Sequence, residues 1–288
     1  MTYPTSPPLE PVAEPPRAEP GWYRDPWGLA PARWWDGDVW TTHVVYAQPP
    51  RWWGGPPPTL RPGAGWSMAA TVVALWGLIR ATSEPLADAI GPTATIAADY
   101  AVLFGGMGLV AWWVSGVFGT GDRRRDLGLE ARPLDLLLLP IGAVSLLIIE
   151  GVVGTLVRAG DVPMRSNGES IAQLRDHPGT FAVLVVAAVV AAPIFEEICF
   201  RGVIQRSLAS KLPAAVAVLG SSVLFGLYHY TPEFGVGNLG QAIVLSVVGI
   251  ALGTLAHLTG RLAPSMLAHA GLNALILSLL WWVAPEFV

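Results

Sequence analysis

Lysine is almost missing from this 288-residue chain: Lys211 stands alone among 17 basic residues. Charge of either sign is scarce. Asp, Glu, Lys and Arg make up 13% of the residues, against roughly 25% in ordinary soluble domains, which is too little to clothe a soluble surface. A single cysteine, Cys199, excludes an internal disulfide and any cysteine-cluster metal site. The net charge of -4 says little, because the distribution of charge matters more than the sum; no nucleic-acid partner is expected. The N-terminus is polar and rich in proline, so no cleavable signal peptide is expected. Apolar residues take the space that charge leaves: 52% are hydrophobic and the mean hydropathy is +0.49. The composition is that of a polytopic membrane protein.

Residues 1–20 hold seven prolines and little that can pack, and read as a disordered or polyproline-like tail. Residues 21–46 differ. Five tryptophans lie between Gly21 and Val44, with Arg33-Trp34-Trp35-Asp36-Gly37-Asp38-Val39-Trp40-Thr41 at the centre. Aromatic cross-strand pairs would hold such a segment together as a small β module, and Asp36-Gly37 suits a hairpin turn. The module is expected in the cytoplasm, with a protein partner as its candidate ligand. Residues 47–63, with Pro56-Pro57-Pro58, read as a stiff linker.

From Ala64 to Val288 the chain reads as an all-α transmembrane domain. Seven apolar spans are expected, with an eighth as the alternative: about 64–80, 97–119, 134–157, 179–199, 213–231, 239–258 and 262–284. Each is compared with the ~20 apolar residues that cross a bilayer. The first is short and ends at Arg80. Asp135 and Glu150 in the third are expected at its two interfaces. With seven alternating spans, Arg123, Arg124, Arg125, Arg132, Arg206, Lys211 and Arg261 share one side, and Arg80, Arg158, Arg165 and Arg175 the other. The positive-inside rule then puts the N-terminus in the cytoplasm of a multi-pass cell-membrane protein.

The fourth span ends in Ala191-Ala192-Pro193-Ile194-Phe195-Glu196-Glu197-Ile198-Cys199-Phe200-Arg201. A charge at the centre of a membrane helix costs ~2.5–3.5 kcal/mol on insertion scales, and adjacent carboxylates disfavour each other's ionised form. Such residues mark function by default. Glu197 and Arg201 share a helical face with Glu on the favourable side. Glu196 points about 100° away. The pair therefore reads as structural and Glu196 as free for chemistry. The plainer alternative is a helix end with both carboxylates in the headgroups.

Two later spans carry polar groups at the same spacing: Phe225 with His229, and His269 with Asn273. A lone histidine on an apolar helix is usually a satisfied core group, and a membrane asparagine is often interhelical glue. Together they are an expensive set to bury for packing alone. Counted from the cytoplasmic turns near Lys211 and Arg261, Glu196 stands ~21 Å up, His229 ~27 Å, His269 ~12 Å and Asn273 ~18 Å. Glu196 and His229 can meet, while His269 needs a tilted helix or a higher turn. A glutamate and a histidine flanking one water make a general base, and an asparagine amide with a second histidine supplies oxyanion donors. The alternative is zinc, held by Glu196, His229 and His269, although no H-E-x-x-H helix is present.

In this order, E-E-x-x-x-R, F-x-x-x-H and H-x-x-x-N on separate apolar helices resemble the CAAX-protease and bacteriocin-processing family of intramembrane proteases, over about 179–284. Phe200-Arg201-Gly202 and Thr259-Gly260-Arg261-Leu262 carry the same likeness. The resemblance implies that Glu196 and His229 activate water and that His269 and Asn273 hold the oxyanion. It further implies that Glu197 and Arg201 support the site and that no cofactor is required. Phe225 belongs to the supporting set. The pattern WY-x-DP…RWWDG-x-x-WT is similar to a short domain of unknown function at the ends of bacterial membrane proteins, and implies no chemistry.

The expected activity is an intramembrane endopeptidase acting on a peptide or membrane-protein substrate in the lipid bilayer. One alternative is a non-catalytic adaptor or bacteriocin self-immunity protein, in which the polar groups only join helices. A proton-coupled transporter using Glu196 and His229 is weakened by the lack of an internal repeat.

Overall fold

The structure, a computed structural model, describes residues 19–28, 32–45, 59–164, 177–230, 236 and 238–282. Most of the tail at 1–20, most of the linker at 47–63, the loop at 165–176 and Glu233 fall outside the described residues. The chain divides into two units, Met1–Trp53 and Gly54–Val288.

The first unit is a three-stranded antiparallel sheet in the order β1 (Gly21–Tyr23), β2 (Ala32–Trp35), β3 (Trp40–Val45). Register pairs Trp22 with Trp34 and Trp35 with Trp40, and these rings meet edge to face at 5.4 and 5.2 Å. The turn between β2 and β3 works as its sequence implies. Asp36 Oδ1 accepts from the amides of Asp38 and Val39 at 2.9 and 2.8 Å, and Gly37 takes φ +109°, where a side chain would be strained. Arg33 donates to buried Asp25 at 2.8 Å and lies over Trp27.

The second unit is helical: α1 (Pro62–Ile90), α2 (Pro92–Phe118), the short α3 (Arg123–Leu127), α4 (Leu138–Ala159), α5 (Pro178–Ala209), α6 (Ala214–Tyr228), α7 (Leu239–Thr259) and α8 (Ala263–Trp282). A 3₁₀ turn, Pro133–Leu137, leads into α4. Among the described residues, six helices are long and apolar enough to cross a membrane. With α6, a shorter apolar helix, they match the seven expected; what is corrected is the length of α6. Its 15 residues span about 22 Å, less than the ~30 Å hydrocarbon core, because Pro213 opens the helix and the chain leaves helical geometry at His229. The first span is also corrected. It does not stop at Arg80 but continues to Ile90 through an internal proline, Pro85. Thr82 and Ser83 satisfy their hydroxyls on carbonyls one turn back.

Lipid-facing positions stay apolar. Leu109, Trp112, Trp113, Ile148, Leu156 and Trp282 are all more than half exposed, as expected when the solvent is hydrocarbon. One core cluster joins α1, α2, α5 and α6 around Met68, Met107, Phe200 and Phe225, and a second joins α4, α7 and α8 around Leu146, Val248 and Leu272. Gly226 is where α6 and α7 touch: a Cβ there would overlap Ser246 and the Ala242 carbonyl.

At the loop end of α2, fully buried Asp126 accepts from the hydroxyls of Thr59, Ser115 and Thr120 at 2.6, 2.7 and 2.8 Å. Burial alone would raise its pKa, but these hydrogen bonds outweigh it and hold the carboxyl below its ordinary value. Asp135 forms an ion pair with Arg261.

Candidate active site

α5 is not a uniform helix. Two π-helical stretches, Ala187–Ala191 and Ile198–Gln205, flank a short α segment, Ala192–Glu197. Pro193 accounts for the first, since proline has no N–H and its ring collides with the carbonyl four residues back. Such π segments are frequent at functional sites. All of Glu196, Glu197, Arg201 and Gln205 are buried, exposed by 5% or less.

Glu197 and Arg201 form the ion pair read from their spacing, with Nη1 donating to Oε1 at 2.9 Å. The guanidinium also donates to the Gly249 carbonyl of α7 at 3.1 Å and lies 4.4 Å from the Phe225 ring centroid. One turn on, Gln205 donates to the Gly253 carbonyl at 3.0 Å. Small residues on α7 make these approaches possible, because a Cβ at Gly253 would meet the Gln205 side-chain oxygen at 2.7 Å. Glu197 Oε1 is shared: His269 Nδ1 lies 3.2 Å from it. A carboxylate only accepts, so Nδ1 carries the proton.

Glu196 lies between the two histidines. Its Oε2 is 3.9 Å from Nε2 of His229 and 3.9 Å from Nε2 of His269. It has no hydrogen-bond partner among the described residues. His229 Nδ1 sits 2.9 Å from the Phe225 carbonyl. That contact puts its proton on Nδ1 and leaves the Nε2 lone pair facing the carboxylate. Asn273 Nδ2 donates to the Ala188 carbonyl at 2.7 Å. The four residues come from α5, the end of α6, and α8, and all line one cavity of about 440 Å³.

The height problem for His269 has a concrete answer. The turn between α7 and α8 sits high: Arg206 donates to the Gly260 carbonyl at 2.8 Å, and a Cβ on Gly202 would meet Leu262 at 3.1 Å. The base of α8 is therefore level with Gly202–Arg206 and not with Lys211. His269 is seven residues above Leu262 and Glu196 six residues above Gly202, so they stand at nearly equal height.

Glu150 is corrected. Expected simply at an interface, it lines the same cavity from α4, where its Oε2 has no hydrogen-bond partner among the described residues. Asp99 of α2, unremarked from the sequence, also lines the cavity and accepts from Ser83 at 2.7 Å. Gln241, Tyr100, Tyr228 and the Trp76 indole also line it. A polar residue midway along an apolar span was the available signal for Glu150. Its position in α4, nine residues before the end, is about 14 Å from that end. A second recess of about 660 Å³ between α2 and α5 is almost wholly apolar and shares Tyr100, Phe104 and Ala187 with the first. Among the described residues no group of three or more His, Cys, Asp or Glu is placed to hold a metal ion.

Residues 178–275 match the family described as Rce1-like, type II CAAX prenyl endopeptidase Rce1-like. The matched segment contains Glu196, Glu197, Arg201, His229, His269 and Asn273. No curated protein and no solved structure matches the chain.

Proposed function

From the match of residues 178–275 to the Rce1-like family, we propose that this multi-pass membrane protein is an intramembrane endopeptidase whose water is activated by Glu196 and His229. The observation that carries the reading is the placement of Glu196 Oε2 at 3.9 Å from two histidine nitrogens on the wall of one cavity. Glu196 Oε2 and His229 Nε2 are both acceptors and stand too far apart to bond each other. A single water donating one hydrogen to each fits between them and is held as a nucleophile.

In the proposed reaction the water oxygen bonds to the scissile carbonyl carbon. Its proton passes to the Glu196–His229 pair, and the carbonyl oxygen becomes an oxyanion. His269 and Asn273 face that oxygen as donors. For Nε2 of His269 to donate while Nδ1 stays on Glu197, the ring is an imidazolium, and the carboxylates of Glu196 and Glu197 supply its counter-charge. Collapse of the intermediate breaks the C–N bond, and the leaving amine takes the proton back. No cofactor enters these steps.

The substrate is a peptide or membrane protein reached from the bilayer. The apolar recess beside the cavity suits an apolar or lipid-modified segment flanking the scissile bond, in line with the prenyl endopeptidases that the family description names. The protein is assigned to the cell membrane with its N-terminal module in the cytoplasm, to be checked with reporter fusions at either end.

The test is cleavage of a membrane-peptide library, including prenylated members, by the purified protein in detergent. Wild type is compared with Glu196→Gln, with and without a zinc chelator. Cleavage lost in the variant and kept with chelator supports the reading. Loss with chelator, restored by zinc, replaces it with a metal site built from Glu196, His229 and His269. Cleavage retained in Glu196→Gln refutes it.

A further inference from the structure

Pro193 does more than bend α5. Ala192 donates its backbone N–H to the Ala187 carbonyl, a reach of five residues. In α geometry that N–H would have served Ala188. In π geometry Ala188 would instead accept from residue 193, which is proline and has no N–H. The Ala188 carbonyl has therefore lost its helical donor in both registers. A carbonyl left in that state among apolar helices is costly. Its observed donor comes from another helix, through Asn273 Nδ2 at 2.7 Å.

We infer that Pro193 is a positioning residue for Asn273: it vacates the Ala188 carbonyl, and that carbonyl fixes which way the Asn273 amide faces the cavity. An asparagine amide has an oxygen side and a nitrogen side of nearly equal shape. Only the nitrogen side can bond a carbonyl. With one N–H committed to Ala188, the other remains as a donor at the cavity wall, where Asn273 is a lining residue. A free amide would present its oxygen to the cavity in part of the population, and an oxygen there repels a developing oxyanion. The inference rests on the reading of Asn273 as an oxyanion donor. It also explains a puzzle in the sequence: a proline, the worst helix former by about 3 kcal/mol, stands three residues before Glu196 in the middle of a membrane helix.

The test is a double-mutant cycle with Pro193→Ala and Asn273→Ala, read as kcat and KM for a peptide that the wild type cleaves, together with a structure of Pro193→Ala. Removing a single oxyanion donor costs about 10²–10³-fold in kcat, and that loss is expected for Asn273→Ala. Pro193→Ala restores the N–H, draws the Ala188 carbonyl back into the helix and frees Asn273. Its kcat is expected to fall by roughly 10–100-fold with KM within about twofold, a smaller loss than outright removal of the donor. Its thermal midpoint should hold or rise, because alanine is the better helix former. In the Asn273→Ala background the same change is expected to cost nothing further, as for residues acting through one another. Pro193→Ser, which also restores the N–H, is expected to match Pro193→Ala. Additive losses overturn the inference, as does a Pro193→Ala structure with Asn273 still bonded to Ala188. Wild-type kcat in Asn273→Ala overturns both the inference and the oxyanion role beneath it. In that case the Pro193→Ala structure still reports whether the tether itself depends on the proline.

Discussion

Glu197 and Arg201 meet at 2.9 Å with neither side chain exposed, while Glu196, one residue earlier, has its Oε2 facing the cavity. The adjacent carboxylates thus have different surroundings, and the proposed reaction gives them different work. Glu197→Gln leaves the guanidinium with an amide in place of its counter-charge, and breaking a buried pair costs about 3–5 kcal/mol. Glu196→Gln removes no ion pair with Arg201. The expected outcome is a clear fall in thermal midpoint and activity for Glu197→Gln, against lost activity with a near-normal midpoint for Glu196→Gln. Equal, purely catalytic losses in both would reject this division.

Asp126 makes stability depend on acid. Its folded-state pKa lies below the ordinary value, so it contributes stability that is full above the unfolded-state pKa of about 3.9. That contribution is lost as pH falls through the folded-state value. Asp126→Asn is expected to lower the thermal midpoint at pH 7, because an amide cannot accept three hydroxyl donors equally well. It should also flatten the decline between pH 5 and the acid limit (about the range in which such a carboxylate titrates). Midpoints measured in detergent across that range check the sign.

Close packing of α6 on α7 is set by the absence of a side chain at Gly226. Gly226→Ala forces the helices apart and is expected to cost about 1–3 kcal/mol, as overpacking does. Gly77 in α1 has open space where a Cβ would be added. Gly77→Ala should be neutral or slightly stabilising through helix propensity. Unfolding of the two variants side by side separates packing from propensity.

In the N-terminal sheet, Arg33 joins Asp25, the Thr41 carbonyl and the Trp27 ring. Arg33→Ala leaves the Asp25 carboxylate buried without that partner, and such losses cost about 1–3 kcal/mol or more. In a small unit this is enough to unfold the sheet. The expected signs are a red-shifted tryptophan emission and loss of near-ultraviolet ellipticity, measured on the full chain against wild type.

Much of the site was legible in the residues. Buried ionisable groups at helical spacing pointed to α5, α6 and α8, and the Glu197–Arg201 pair follows from a period of 3.6 residues. Asp36-Gly37 gave the hairpin turn through backbone freedom that glycine alone has at Gly37. The length of α6 was less legible, because hydropathy measures apolar content and does not register that Pro213 and His229 bound a helix of only 15 residues.

The sequence by itself determined where apolar helices run and which of their residues are costly to bury, since both follow from local composition and helical periodicity. Tertiary structure alone decided which of those residues meet. His269 reaches Glu196 because the α7–α8 turn docks at Gly202 and Arg206. Glu150 and Asp99 line the cavity because α4 and α2 pack around it. Asn273 finds Ala188 because Pro193 has emptied that carbonyl of helical donors. Each depends on the height and rotation of one helix against another, and these are set by side-chain packing across the interface, which no single helix encodes.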